Sequence, residues 1–482
     1  MRRGRRPWPF KVAKILGGGL LCVTLLHVGV ALGTHVTPPV IAPTSGEPRT
    51  AGDDPTRRDL GPSYVRRRGT ITEIRLVGTP EQIGHSHVRL LYPEVVGIEQ
   101  AMHQQFAQFV PLAPVRWAIV DLARWRFRGL EATMPLERRR ELAAYAEGFT
   151  PDPFGVGMGT YHRFVLLNSL YDVMLAFERS PLVGCTSFVL RGAASEEGHT
   201  LVGRNFDFEG PSVLDRDKAV FLIHEAGRIP YASVSWPGFV GVSSGMNALG
   251  VGIVVHGARA RTPRTSGDPV TMTVRDVLGT AHDTAEAVAM IATRQPMVPH
   301  ILLVADAAGQ VAIVERAPGE PAVVRRPTDD RVPLTNHFEG PWASDPANQA
   351  VLLHTSTRPR RQRLDELLKN LPAGASVERA VSLLRDKRGL GNVELPLGHR
   401  SAIDALIATH SVVMDLTARK LWVNEGPHAA GRYLAFDVGT LLEPSYRPTS
   451  PEPIETIAAD EVLSSGRYQT WLDSGAPRPG AE

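Results

Sequence analysis

The 482-residue chain is 43% hydrophobic, 6% aromatic and 21% charged, enough apolar material for a sizeable core. Its net charge is only +3, and six basic residues (Arg2, Arg3, Arg5, Arg6, Lys11 and Lys14) fall within the first 14 positions without an acid. The remainder is slightly acidic, which excludes a broad nucleic-acid surface.

Taken from the start, residues 1–33 read as a targeting segment: a basic stretch, then the mostly apolar run Ile15–Leu32. As a helix that run would span roughly 27 Å, just short of a bilayer core. Ala31 and Gly33 stand where a signal-cleavage site wants small residues. Cleaved signal peptide and retained membrane anchor both fit, and either exports the body of the chain to the periplasmic or extracellular side. Residues 34–69, Pro-rich and ending in Arg66-Arg67-Arg68, read as a flexible linker.

Order is expected from Ile71–Val77, a short strand. Thr79 then caps a helix that has Pro80 at its first position and Gln82 three residues after the cap. Helical periodicity continues through Leu136–Glu147 and through Phe164, Leu167, Tyr171 and Met174, so 70–184 reads as a mostly helical leader. From residue 185 to about 447 strand patterns dominate: Thr186–Leu190, Leu201–Phe208, Ala219–His224, Tyr231–Trp236, Phe239–Ser243 and Val251–His256. Helices near 274–290 and 364–384 and hairpins at 301–315 and 411–424 complete the pattern. Residues 448–482, rich in Pro and Gly, read as a disordered tail. Antiparallel hairpins with grouped helices indicate an α+β fold.

Two cysteines are present, and Cys22 lies inside the targeting segment. Cys185 is therefore the lone thiol of the exported body, with no partner for a disulfide. It opens a strand (Gly184-Cys185-Thr186-Ser187-Phe188) whose hairpin mate is Gly203-Arg204-Asn205-Phe206-Asp207-Phe208. A hairpin centred near residue 196 would set Cys185 directly opposite Asp207, Cβ atoms ~5 Å apart. A carboxylate alone opposes thiolate formation, so a positive group is wanted there. Cutting the chain before Cys185 supplies one: an α-amine (pKa ~7.7–8.0) able to take the thiol proton (pKa ~8.5). Gly184 would permit the strained backbone that such a cut needs. Arg204 is an odd number of residues from Asp207, so both can reach Cys185 only if a bulge re-aims one.

These motifs resemble the N-terminal-nucleophile cysteine hydrolases, in particular the acyl-CoA:6-aminopenicillanic-acid acyltransferase family, related to acid ceramidases, N-acylethanolamine amidases and choloylglycine hydrolases. The likeness extends to Gly78–Gly84, Asn168–Asp172, Gly245–Gly250, Thr335-Asn336-His337-Phe338 and Thr357–Leu364. It implies a four-layer αββα sandwich and self-cleavage between Gly184 and Cys185. It implies Cys185 as nucleophile and base, Asp207 orienting its amine, Arg204 at the thiol or substrate carbonyl, and Asn336 donating to the oxyanion. The second oxyanion donor would be a main-chain N–H near His256 or Gly257, and either Arg360 or Arg363 would be the site arginine. It implies no cofactor and no metal. The partners would be a small N-acyl substrate and in some cases an acceptor amine, and the two fragments would stay associated. A lipid-ester hydrolase of the phospholipase-B-like branch and a non-catalytic exported binding protein remain as alternative readings.

Overall fold

The computed structural model describes residues 8–52, 54–155, 157–176, 183–261, 263–449 and 452–475. Two antiparallel-rich sheets form its centre. The larger begins upstream with β1 (Arg49–Thr50), β2 (Arg58–Leu60), β3 (Ser63–Arg68) and β4 (Ile71–Gly78). The smaller opens with β5 (Val183–Leu190) and β6 (Leu201–Phe208). The larger continues with β7 (Ala219–Glu225), β8 (Tyr231–Ser235), β9 (Ser244–Asn247) and β10 (Gly252–Gly257). β11 (His300–Ala305), β12 (Val311–Arg316) and β13 (Val323–Arg325) close it. β14 (Arg331–Leu334), β15 (Ala408–Asp415), β16 (Lys420–Asn424), β17 (Tyr433–Asp437) and β18 (Thr456–Ile457) finish the smaller sheet, in the order β14-β5-β6-β15-β16-β17-β18.

The strands alternate in what they bury. Val189, Val202, Leu222, Val254, Leu303 and Met414 belong to one apolar cluster between the two sheets. The opposite face of the larger sheet (Ile74, Phe221, Val255) packs on helices through Ile83, Leu142, Phe164 and Val277. The opposite face of the smaller sheet (Phe188, Val413, Trp422) packs on Leu364, Leu368, Val381 and Leu384. Helix, sheet, sheet, helix: the order is αββα, as the resemblance implied.

The leader is part of this sandwich. β4 pairs in parallel with β7 along its whole length, so the upstream segment contributes strands as well as helices. Thr79 and Gln82 form the expected capping box on the helix Pro80–Leu90. A Cβ on Gly84 would lie 2.1 Å from the Glu141 carbonyl oxygen, which shows why only glycine lets that helix cross Leu136–Gly148 so closely.

Three expectations are corrected. Residues 49–68 are not a linker but β1–β3, because Arg66 and Arg68 turn inward onto Glu73 and Glu452 while only Arg67 faces out. Phe239–Ser243 is not a strand; Ser244–Asn247 is. The tail is ordered over β18 and the helices Glu461–Ser464 and Arg467–Asp473, with Ile457 and Val462 buried. Residues 1–7 and 476–482 lie outside the described residues. Ile15–Leu32 falls within the helix Trp8–Gly33.

Candidate active site

The hairpin register differs by one residue from the expected one: Cys185 pairs with Phe206, Ser187 with Arg204, and Gly184 with Asp207. A slip of one reverses every facing. Cys185 and Arg204 therefore point together into the space between the sheets, and no bulge is needed to bring them together. Asp207 lies across from Gly184 on the other face.

Cys185 is completely buried. Arg204 Nη2 stands 3.3 Å from its Sγ. That guanidinium is itself fixed by the carbonyls of Ser243 and Val255 and by Ser244 Oγ, which also meets His410 Nε2 at 2.8 Å. Burial pushes the Cys185 thiol up, against the downward pull of Arg204. In the uncut chain the thiol is thus held protonated.

Asn336 follows β14, the neighbour of β5. Its Oδ1 accepts the Cys185 main-chain N–H at 2.7 Å, and its Nδ2 donates to the Gly257 carbonyl at 3.0 Å. Thr357 Oγ1 secures the Asn336 backbone by accepting its N–H at 2.9 Å. Arg360, on the helix Thr357–Lys369, donates through Nη1 to the Cys185 carbonyl and to Thr186 Oγ1 (2.7 Å), and through Nη2 to Asn336 Oδ1 (3.0 Å). Arg363, one turn on, instead pairs with Asp386 and Glu366. Of the two arginines, Arg360 is the one that reaches Cys185.

Asp207 is buried with Oδ1 unpartnered among the described residues. Burial pushes its carboxyl up to about 6, partly offset by Arg360. A Cβ placed on Gly184 would lie 3.4 Å from Asp207 Cβ and 3.6 Å from Arg360 Nη2, so carboxylate and guanidinium both stand at the Gly184 side of the Gly184–Cys185 bond. His256 is fully buried, meets Ser187 Oγ through Nε2 at 2.7 Å, and has its pKa held far below the usual histidine range by burial and by Arg204. It is therefore uncharged at neutral pH. Among the described residues no group of three His, Cys, Asp or Glu could hold a metal.

The structure therefore gathers Cys185, Arg204, Asp207, Asn336, Arg360, His256 and Gly257 around one peptide bond. Sequence reasoning missed Thr186, Ser243, Ser244 and His410, whose contacts with Arg204 and Arg360 (for His410, through Ser244) arise only when distant segments pack together. Beside the cluster lies an apolar pocket lined by Met102, Tyr171, Met174, Phe206, Trp236 and Phe239, with Ser243 at its edge.

The fold is the four-layer αββα sandwich of the N-terminal-nucleophile hydrolases, with Cys185 on the inner strand β5. A model of the acyl-coenzyme A:6-aminopenicillanic acid acyl-transferase family matches residues 194–428, and across that span the chain carries the pattern that its motifs resemble. The match includes Arg204, Asp207, Asn336 and Arg360; Cys185 stands a few residues upstream of it. An uncharacterized protein of Archaeoglobus fulgidus is 28% identical over 258 residues, 49% of this chain and 41% of the relative, so the chain spans less than half the length of that relative. Among solved structures, the Caenorhabditis elegans N-acylethanolamine-hydrolyzing acid amidase ortholog is 18% identical over 48% of this chain and 93% of that one, with a TM-score of 0.36. Penicillin V acylase from Agrobacterium tumefaciens is 19% identical over 57% and 98%, TM-score 0.36. A mutant of conjugated bile acid hydrolase from Clostridium perfringens is 13% identical over 57% and 97%, TM-score 0.36.

Proposed function

We propose that this chain is a self-processing cysteine amidohydrolase or acyltransferase that cleaves or transfers the acyl group of an N-acyl amide. The observation that carries the reading is the hydrogen bond from the Cys185 main-chain N–H to Asn336, with Arg204 at the thiol and Arg360 at the Cys185 carbonyl. These contacts support chemistry at the Gly184–Cys185 bond and at the amine its cleavage would release.

In the first step Sγ attacks the Gly184 carbonyl carbon, and the C–N bond breaks to a thioester as the amine takes the thiol proton. Water then hydrolyses the thioester, leaving a Gly184 carboxylate and a free Cys185 α-amine. In turnover that amine takes the Cys185 proton, the thiolate attacks the substrate carbonyl, and the ammonium returns the proton to the leaving amine. Asn336 Nδ2 and a main-chain N–H near His256 and Gly257 receive the oxyanion. Asp207 holds the ammonium, and water or an acceptor amine then resolves the acyl-enzyme. The apolar pocket beside the site favours an uncharged, apolar acyl group.

The same reading has the chain exported, with Ile15–Leu32 removed as a signal or retained as an anchor. Among the described residues no single helix is long and apolar enough to cross a membrane. Intact-mass measurement of the purified protein tests both halves: two fragments meeting at Gly184–Cys185 support the reading, and a single uncut chain with full amidase activity would overturn it.

A further inference from the structure

Tyr171 lies on the helix Leu170–Leu175, in the segment upstream of the Gly184–Cys185 bond. Its ring is half-buried, forms part of the apolar pocket wall and leans on Phe206 with centroids 6.2 Å apart. Phe206 is the residue paired with Cys185. The Tyr171 hydroxyl oxygen, in contrast to its ring, is fully buried and has no hydrogen-bond partner among the described residues. Leaving a buried hydroxyl unpaired is destabilising, a cost that phenylalanine at the same position would not incur.

Three neighbours show where that hydroxyl points. A Cβ built on Gly257 would lie 3.5 Å from Tyr171 Oη. The Gly257 carbonyl is the group to which Asn336 Nδ2 donates. After burial itself, Cys185 is the largest influence keeping the Tyr171 phenol protonated, with Arg204 pulling the other way. The hydroxyl is thus an O–H donor in an apolar wall, directed at the space that Cys185, Asn336 and Gly257 share. Ser243 Oγ, also unpartnered among the described residues along the pocket, sits instead on the Arg204 side, where the Ser243 carbonyl holds the guanidinium.

We propose that Tyr171 is a catalytic residue supplied by the upstream fragment: its hydroxyl donates a hydrogen bond to the carbonyl oxygen of the N-acyl substrate on Cys185. The proposal rests on the functional reading above. It makes the site composite, built from both sides of the cut. As the thiolate adds, the carbonyl oxygen gains negative charge, and a donor already desolvated in an apolar wall strengthens with it. The upstream segment is then a permanent part of the enzyme and not a disposable pro-piece.

The test compares wild type, Tyr171→Phe and, as a control, Tyr145→Phe, which removes another buried, unpartnered hydroxyl from the helix Leu136–Gly148, outside the pocket; each is checked by intact mass for the Gly184–Cys185 cut, with the p-nitroanilide of decanoic acid as substrate. Tyr171→Phe keeps the ring and its packing. It is expected to be cut like wild type and to melt at the same or a higher temperature. Its kcat/KM should fall roughly 10- to 100-fold, mainly in kcat, as expected for a lost hydrogen bond to developing charge. Tyr145→Phe should retain kcat/KM within a few fold. An active wild type whose Tyr171→Phe variant keeps its kcat/KM overturns this proposal alone. A properly cut wild type that hydrolyses no anilide overturns the functional reading and this proposal with it.

Discussion

Asn336 Oδ1 accepts the main-chain N–H of Cys185 at 2.7 Å, while Nδ2 of the same side chain reaches the Gly257 carbonyl. One amide therefore touches the Gly184–Cys185 bond with its oxygen and the oxyanion side of the site with its nitrogen. An asparagine confined to the oxyanion would leave processing untouched when mutated; on the functional reading proposed above, this geometry couples processing and turnover through one residue.

The Asn336 variants separate those two contacts. Asn336→Ala should slow self-cleavage and lower kcat by about 10²–10³. Asn336→Asp keeps the acceptor for Cys185 and loses the donor, so it should be cut faster than Asn336→Ala yet turn over no better. A time course of intact mass beside substrate hydrolysis reads both, and equal cutting rates for the two variants would contradict the contact.

Cys185→Ser should retain partial cutting but lose nearly all turnover, because a hydroxyl is a much weaker nucleophile than a thiol at neutral pH. Cys185→Ala should be folded and uncut. Cutting at the same bond in Cys185→Ala would remove Cys185 from the mechanism.

Asp207 makes the uncut chain pH-sensitive. Its carboxyl is raised from 3.8 to about 6. Between those values the folded state holds a proton that the unfolded state has released, so stability falls as pH rises through the window and levels above it. The gap corresponds to a loss on the order of 1–3 kcal/mol. In an uncut Cys185→Ala background, Asp207→Asn should therefore raise the melting temperature at pH 7 and leave it unchanged below the window. A thermal melt series from acid to neutral pH checks this, and the opposite sign would show Asp207 to be stabilised as the anion.

Arg360 and Arg363 should part company. Arg360→Ala removes the donor to the Cys185 carbonyl and should abolish most activity. Arg363→Ala breaks ion pairs to Asp386 and Glu366 away from the thiol and should lower thermal stability while leaving kcat near wild type. Melting temperature and kcat measured on both variants distinguish the roles.

The upstream fragment should remain bound after cutting. Arg138 and Arg275 are buried between Glu141 of the leader and Glu225 of β7. Glu141→Gln leaves those cations short of a partner and should cost roughly 3–5 kcal/mol. Urea unfolding of the processed protein should show one transition for both fragments, shifted down in the variant; early release of the upstream fragment would contradict the network.

The lone thiol, the Gly-Cys-Thr-Ser strand, the Arg204 and Asp207 pair on the following strand, and Asn336 in its order along the chain were all legible from residue types. Each depends on local pattern: period-two alternation and the proximity of hairpin strands. Register was not legible. A single-residue slip reverses which side chains face the core, and only the packing of Val189 and Val202 against the other sheet chooses between the two pairings. Nor could residue types distinguish Arg360 from Arg363, three positions apart on one helix, because the choice lies in which face of the helix meets β5. The arginine run 66–68 read as linker although one acid partner, Glu73, stands on the next strand; the other, Glu452, lies hundreds of residues away. Charge reads as solvated until tertiary structure supplies a counterion, and that pairing, like the Asn336 contact with Cys185, exists only once distant segments pack together.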